Sequence, residues 1–320
     1  MPHEVKILAA SRYKGVGLLT FRLRYWRAMH AEFLTHRNQN RNSGSSRAIP
    51  IGTMNASILA DIAGPTHWGK NQSGMQAWEE CNELVFFEHW MDEAVQQFRM
   101  SDVLKANEGL EIKYDGQARG HYMTREAAWK FAAWQAVQNS RRFADAGYHK
   151  QIANRMTEPY QYINVVMTAT EGHLHAFYAL RDHKDAFPEL RDVAHDIRVA
   201  HEEAVFRELA EGEWHLPYVL ESEQDLPLNQ LLQLSSARCA HTSYETVEGE
   251  PLGVAQAIRI FQKIVGSDPI HASPTEHQAR AGHPPLEHLP EGAPTNWTRS
   301  PLEGEWVQYR KFVEQELDVI

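Results

Sequence analysis

The sequence predicts an α+β protein on three observations. Two strand patterns open the chain, helical apolar stripes dominate the remainder, and the composition is that of a folded globular protein. Of 320 residues, 42% are hydrophobic and 23% charged, both ordinary for a soluble domain. A chain of this length buries a substantial core as one large domain or two small ones. With no internal repeat, low-complexity tract or linker in view, one domain over 1–320 is expected.

Residues 4–10 (EVKILAA) and 16–24 (VGLLTFRLR) read as strands, the second from its alternating apolar positions. Gly15 and Gly17 suit the turn between them. Trp26, Met29, Phe33 and Leu34 make a helical stripe within 25–36. The polar stretch 38–47 comes next and ends at Pro50, and residues 51–74, rich in Gly, Pro, Ser and Asn, read as a long loop. Helical patterns resume at 75–100 and at 125–146, the latter directing Trp129, Phe131, Ala133 and Trp134 toward a core. More helices are expected at 149–156, 160–181 and 186–211, an extended connector at 212–219, and helices at 228–240 and 252–265. A second Pro- and Gly-rich loop covers 266–302, and 304–317 closes the chain as a helix.

Composition narrows the function classes. The formal net charge of −10 argues against a nucleic-acid backbone as the main partner. No stretch approaches the roughly 18–20 apolar residues of a membrane span, and MPHEVKILAA lacks the order of a signal peptide. With only Cys81 and Cys239, neither a disulfide framework nor a cysteine zinc site can be built. Both cysteines fall in helical, apolar patterns and read as buried thiols. A cytoplasmic setting is the simplest expectation.

Four clusters carry candidate chemistry. In the first, His36 and Arg37 at a helix end precede Asn42, Ser45, Ser46 and Arg47 on a Gly-containing loop. Phosphate asks for N–H and O–H donors with a guanidinium, and arginine grips its oxygens with two parallel hydrogen bonds. A solvated loop beside a helix terminus is the competing reading. The second cluster holds Arg155 in HKQIANRMTEP, and the third holds Arg181 four residues after Phe177. Each arginine alone is more often a surface ion-pair member. The fourth, HASPTEHQA, offers His271, Glu276 and His277, with His283 and His288 beyond. A metal reading is weak there, because the i, i+4 histidine pair of a helical zinc site is missing and Pro274 interrupts any helix. No metal is expected.

Together the clusters resemble flavin-dependent thymidylate synthase. That family's signature runs Arg-His-Arg, two residues, Ser, one residue, Asn-Glu, one residue, Ser, one residue, Arg. His36, Arg37, Asn42, Ser45 and Arg47 match it at the same spacing, while Thr35, Asn40 and Ser43 depart from it. FYALRDHKDAFPEL is similar to the family's Phe-x-x-Leu-Arg segment through Phe177, Leu180, Arg181, Ala186, Glu189 and Leu190. Arg155 before Pro159 is a further match, and AHTSY (240–244) a weaker one. His271-Ala272-Ser273-Pro274-Thr275-Glu276-His277 resembles the family's His-x-Thr-Pro-x-Glu-His, which in most members precedes the arginine signature. Here it lies more than 200 residues after it. The order resembles a circular permutation, as in longer viral homologues, which a compact domain with close termini tolerates.

The resemblance implies a β-sheet flanked by long helices, FAD as cofactor, a pyrimidine deoxynucleoside monophosphate as substrate, and NADPH and methylenetetrahydrofolate as co-substrates in a homotetramer. It implies that Glu32, Ser45, Ser46, Arg47 and Arg155 contact the nucleotide. Arg181 would face the pyrimidine ring and steady the negative charge developing there. His36, Arg37, Asn42, His271, Ser273 and Glu276 would line the flavin or folate side. The implied reaction is C5 methylation of dUMP. One-carbon modification of dCMP, and a nucleotide-binding protein without catalysis, remain open beside it, since Thr170, Gly172 and Ala176 also depart from the usual pattern.

Overall fold

The structure is a computed structural model and describes residues 3–77, 79–105, 108–111, 114–115, 118–243, 252–268, 270–282 and 306–315. His283, His288 and Tyr244, and residues 283–302 of the loop expected at 266–302, lie outside the described residues, while the earlier part of that loop holds a 3-10 turn (273–276) and a strand (279–281).

The chain opens with an antiparallel hairpin of β1 (Glu4–Tyr13) and β2 (Val16–Trp26). Its two turn residues, Lys14 and Gly15, have φ of 46° and 79°, the positive values whose twist matches that of the paired strands. Gly17 serves another purpose than the turn. It lies inside β2, where a Cβ would stand 2.1 Å from a Glu171 carboxylate oxygen, and its N–H donates to that oxygen at 2.8 Å. Tyr25 and Trp26, expected in a helix, finish β2 because its pairing runs on to Trp26 opposite Tyr162. Only a 3-10 turn (27–29) and the short α1 (His30–Phe33) come after it.

After β3 (Asn40–Ser43), the expected loop at 51–74 begins instead as α2 (Ile51–Ala60). Pro50 precedes it, and Met54 and Ile58, one turn apart, bury against Val137. Of the helix expected over 75–100, the described residues form α3 (Asp92–Arg99) with a 3-10 turn (89–91) before it, preceded by β4 (Val85–Glu88). Then come β5 (Leu110–Glu111), β6 (Tyr114–Asp115) and β7 (Ala118–Met123), which join β4 in a second sheet. The strand pairing of Phe86 and Phe87 with β7 overrides their local helical spacing. The expected helix at 125–146 is α4 (Arg125–Asp145), capped by Thr124 and buried through Phe131, Ala133 and Trp134.

α5 (Lys150–Ala153) runs into a 3-10 turn (154–160), and then the expected helix at 160–181 divides. Its first half is β8 (Tyr162–Thr170) and its second α6 (Glu171–Arg181). β8 buries Val165, Met167 and Ala169 on one face and Val166, Thr168 and Thr170 on the other. A run buried on both faces lacks the alternation that separates strand from helix. The helix expected at 186–211 is α7 (Pro188–Glu202), and its remainder reaches β9 (Arg207–Glu208), parallel to β1. β10 (Trp214–His215), α8 (Leu228–Ala240), α9 (Val254–Val265), β11 (Ala279–Ala281), β12 (Trp306–Gln308) and α10 (Tyr309–Gln315) complete the chain. The closing helix therefore starts at Tyr309, because Trp306–Gln308 pair with β11.

The central sheet runs β3-β8-β2-β1-β9. Leu19, Phe21, Leu23 and Tyr25 of β2 join Val165 and Met167 of β8 on one face, closed by Leu174 and Phe177 of α6 and Leu190, Val193 and Ile197 of α7. Burial of this layer stabilises the sheet at about 25 cal/mol per Å2 of apolar surface removed from water. The opposite face is mixed, with Leu18 and Tyr13 packed on Ala279, Ala281 and Trp306 beside a polar centre. Register puts Thr20 opposite Thr168 and Asn40 opposite Thr168 on its other side, and a C-terminal unit of the three-stranded sheet β10-β11-β12 with α8–α10 covers it. Cys239 is buried in α8, its thiol pKa pushed up by burial. Cys81, expected as a buried helical thiol, is half-buried in a loop and held by its backbone to Trp68. Among the described residues, no helix is long and apolar enough to cross a membrane.

Candidate functional site

Among the described residues β3 is an edge strand, paired with β8 alone. Three groups of the sequence-predicted residues meet along it, one at its entry, one at its middle and one at its exit.

At the entry, Arg181 at the end of α6 donates from Nε to His36 Nε2 at 2.7 Å and from Nη2 to Thr35 Oγ1 at 3.1 Å. The His36 ring meets Phe177 edge-on, 4.9 Å between centroids. Burial, then the positive charges of Arg181 and Arg41, hold the His36 pKa below the ordinary histidine value. A neutral His36 accepts the Arg181 proton on Nε2 and so keeps its own on Nδ1. Arg41 donates to the carbonyls of Phe33 and Leu34, closing the end of α1. Glu32 is exposed on α1, where its carbonyl accepts from Thr35 Oγ1. Arg37 is exposed beside His36.

At the middle, Asn42 donates to the Cys239 carbonyl at 2.6 Å, and its Oδ1 accepts from Ser273 Oγ at 3.3 Å across 231 residues of sequence. The first and fourth clusters of the sequence are thereby in contact. Glu276 is ion-paired with Arg310 and lies in the same 3-10 turn as Ser273. His271 is exposed, its backbone N–H bonded to the Ile264 carbonyl.

At the exit, Ser46 is buried and donates to Glu158 Oε1 at 2.9 Å. Arg155 lies 3.7 Å from the other oxygen of Glu158, and Arg27 lies 3.8 Å from Oε1. Asn154 donates to the carbonyls of Ser46 and Ile49, and Lys150 to that of Ala48. These bonds stitch the loop to the 3-10 turn and leave Arg47 and Arg155 facing solvent. Ser45 is half-buried beside them. Among the described residues Arg47 has no hydrogen bond or ion pair.

Sequence reasoning passed over Glu158, Arg27 and Asn154, which build the exit, and Arg41, which shapes the entry. Glu158 had a signal, standing three residues after Arg155 where a helical turn brings side chains together. The others bond to backbone carbonyls and leave no pattern. A separate cleft of about 410 Å3, lined by Gly64, Trp68, Lys105, Trp129, Lys130 and Tyr162 among others, contains none of the predicted residues. Among the described residues no group of three or more His, Cys, Asp or Glu is placed to hold a metal ion.

No family model matches the chain, and no curated protein matches it. Solved structures do show likenesses. A UMP/dUMP methylase, PolB from Streptomyces cacaoi bound with 5-Br UMP, is 14% identical over 63% of this chain and 89% of its own, with a TM-score of 0.42. Flavin-dependent thymidylate synthase ThyX from Helicobacter pylori, complexed with FAD and dUMP, is 16% identical over 57% of this chain and 67% of its own, with a TM-score of 0.31. The chain is similar to these proteins, and likenesses of this size assign neither a family nor an activity.

Proposed function

We propose that this chain is a circularly permuted flavin-dependent thymidylate synthase that methylates C5 of dUMP to give dTMP, with FAD as cofactor, methylenetetrahydrofolate as carbon donor and NADPH as reductant, in a homotetramer. One observation carries the reading. Arg181 with its orienting His36 stands at one end of β3, and Arg155 and Arg47 stand beside Ser46 at the other. Four residues of β3, about 13 Å at about 3.3 Å per residue, run between the two groups, a span that long arginine side chains reaching inward would narrow to the base and phosphate of one mononucleotide.

In this reading the phosphate sits against Arg47 and Arg155, where it competes with Glu158 for the Arg155 guanidinium. Arg181 acts on the base. His36 and Thr35 engage its Nε and Nη2, which aims the planar fork and leaves Nη1 without a bond to any described residue. C5 of a pyrimidine is a poor nucleophile, and a cation fixed beside the ring favours the electron-rich form that attacks. His36 is thus a positioning residue.

FAD fits the chemistry of the donors around β3. Arg37 and His271 are exposed and would offer it polar groups, whereas Asn42, Ser273 and Glu276 are held by Cys239, by each other and by Arg310. Those three would border the cofactor without gripping it. When bound, FAD supplies the hydride chemistry, and the chain supplies position and charge.

The test is dUMP-dependent NADPH oxidation by purified, FAD-supplemented protein, with the product identified by mass spectrometry and dCMP run in parallel. Formation of dTMP supports the reading. Protein that binds no FAD and oxidises no NADPH overturns it, and nucleotide binding without turnover leaves a binding protein in its place.

A further inference from the structure

The polar centre of the central sheet's second face carries an unbroken chain of five buried side chains that the proposed chemistry does not use. Ser11 Oγ lies 2.9 Å from His215 Nδ1, His215 Nε2 lies 2.8 Å from Thr20 Oγ1, Thr20 Oγ1 lies 2.7 Å from Thr168 Oγ1, and Thr168 Oγ1 lies 2.8 Å from His277 Nδ1. None of the five is more than 5% exposed. The chain ties β1, β2 and β8 to β10 and to the segment entering β11. Its far atom, His277 Nε2, is shut off from solvent and has no hydrogen-bond partner among the described residues.

Each hydroxyl in the chain has one proton to donate, and each neutral imidazole has one. Suppose His215 carries its proton on Nε2. It then donates to Thr20, Thr20 to Thr168, and Thr168 to His277 Nδ1, which leaves the His277 proton on Nε2. Suppose instead His215 carries it on Nδ1 and donates to Ser11. Thr20 then donates to His215, Thr168 to Thr20, and His277 Nδ1 to Thr168, leaving His277 Nε2 a bare lone pair. If the two tautomers differ, either the Thr20–Thr168 contact holds no proton or one threonine proton has no acceptor in the chain. Both arrangements waste a buried hydrogen bond.

We propose that this chain is a polarity relay that locks His215 and His277 into the same tautomer, so that the direction of the bond at Ser11 decides whether His277 Nε2 offers a donor or an acceptor. The open end belongs to the residue next to Glu276, near the Asn42–Ser273 contact. In one state it takes an acceptor such as a carbonyl oxygen, and in the other an N–H or O–H group. The relay holds whatever reaction the protein performs. Burial pushes both imidazole pKa values down to about 3, and a proton on His277 would lower that of His215 further, so both rings are neutral.

The experiment is long-range 1H–15N correlation NMR on the full-length protein labelled with 15N-histidine, at neutral pH. His215 and His277 are expected as neutral rings sharing one tautomer in wild type and in Thr168→Ser, which keeps the hydroxyl. Thr168→Val removes the proton carrier between them and is expected to return His277 to a mixture of tautomers. Opposite tautomers in wild type, a doubly protonated ring at neutral pH, or a Thr168→Val spectrum with the wild-type His277 pattern overturns the proposal. If Thr168→Val does not fold, wild type and Thr168→Ser decide it alone.

Discussion

Arg181 Nε donates to His36 Nε2 at 2.7 Å across 145 residues of sequence, joining the end of α6 to the loop that leads into β3. The bond makes each residue a reporter of the other. Arg181 is the second cause, after burial, of the lowered His36 pKa. Arg181→Gln is expected to raise the His36 pKa toward its ordinary value without restoring it fully, as read by an NMR titration of the ring. The same substitution removes the proposed charge beside the base and is expected to slow dTMP formation about 100-fold or more.

The exit of β3 separates binding from stability. Arg47 is exposed with no partner among the described residues, so Arg47→Ala is expected to change stability by less than about 0.5 kcal/mol. It should weaken dUMP binding by about 1.5–3 kcal/mol, the range for a hydrogen bond to a charged group. Asn154→Ala should do the reverse. It leaves the carbonyls of Ser46 and Ile49 unpaired, at a cost to stability of about 2 kcal/mol or more. Calorimetric titration and urea unfolding of the two variants check the contrast.

The buried histidines set a pH dependence of stability. Folding lowers the pKa of His215 and His277 to about 3, below the ordinary value of about 6.5. Above about pH 6.5 neither state holds the proton, so nothing is linked. Between about 6.5 and 3 the unfolded chain binds protons that the folded chain refuses, and stability falls as pH falls. Each histidine contributes a slope of up to about 1.4 kcal/mol per pH unit. His277→Gln should flatten the slope by about one histidine's share, measured by urea unfolding from pH 7 to pH 4.

Gly17 tests the close approach inside β2. A Cβ there would meet the Glu171 carboxylate, which also binds Arg12 and accepts the Gly17 N–H. Gly17→Ala is expected to destabilise the protein by about 1–3 kcal/mol as the carboxylate shifts. Gly17→Ala combined with Glu171→Ala should cost less than the sum of the two single changes, because the crowded group is gone.

Where the local apolar spacing matched the element that formed, the pattern was legible. The β1–β2 hairpin, α4, α8 and α9 lie close to their expected bounds, and the α+β class rests on them. Where pairing partners came from far away, local spacing misled. β8 is buried on both faces and hid its alternation, β4 forms only because β7 lies beside it, and α2 rests on Val137 from a distant helix. The Pro-Gly-Ser-Asn content of 51–74 named a loop where packing built a helix.

The sequence by itself determined the residue types of the candidate site, because guanidiniums, hydroxyls and imidazoles keep their chemistry wherever the chain carries them. It read 38–47 as a polar loop, however, and the strand inside it formed because Asn40–Ser43 pair with β8. Only the tertiary structure decided which of those groups face outward. Ser46 turned to Glu158, Asn42 to Cys239 and Ser273, and Arg181 to His36. The physical reason is that most buried donors and acceptors pair, and partners 112 to 231 residues away are visible only once the chain has folded.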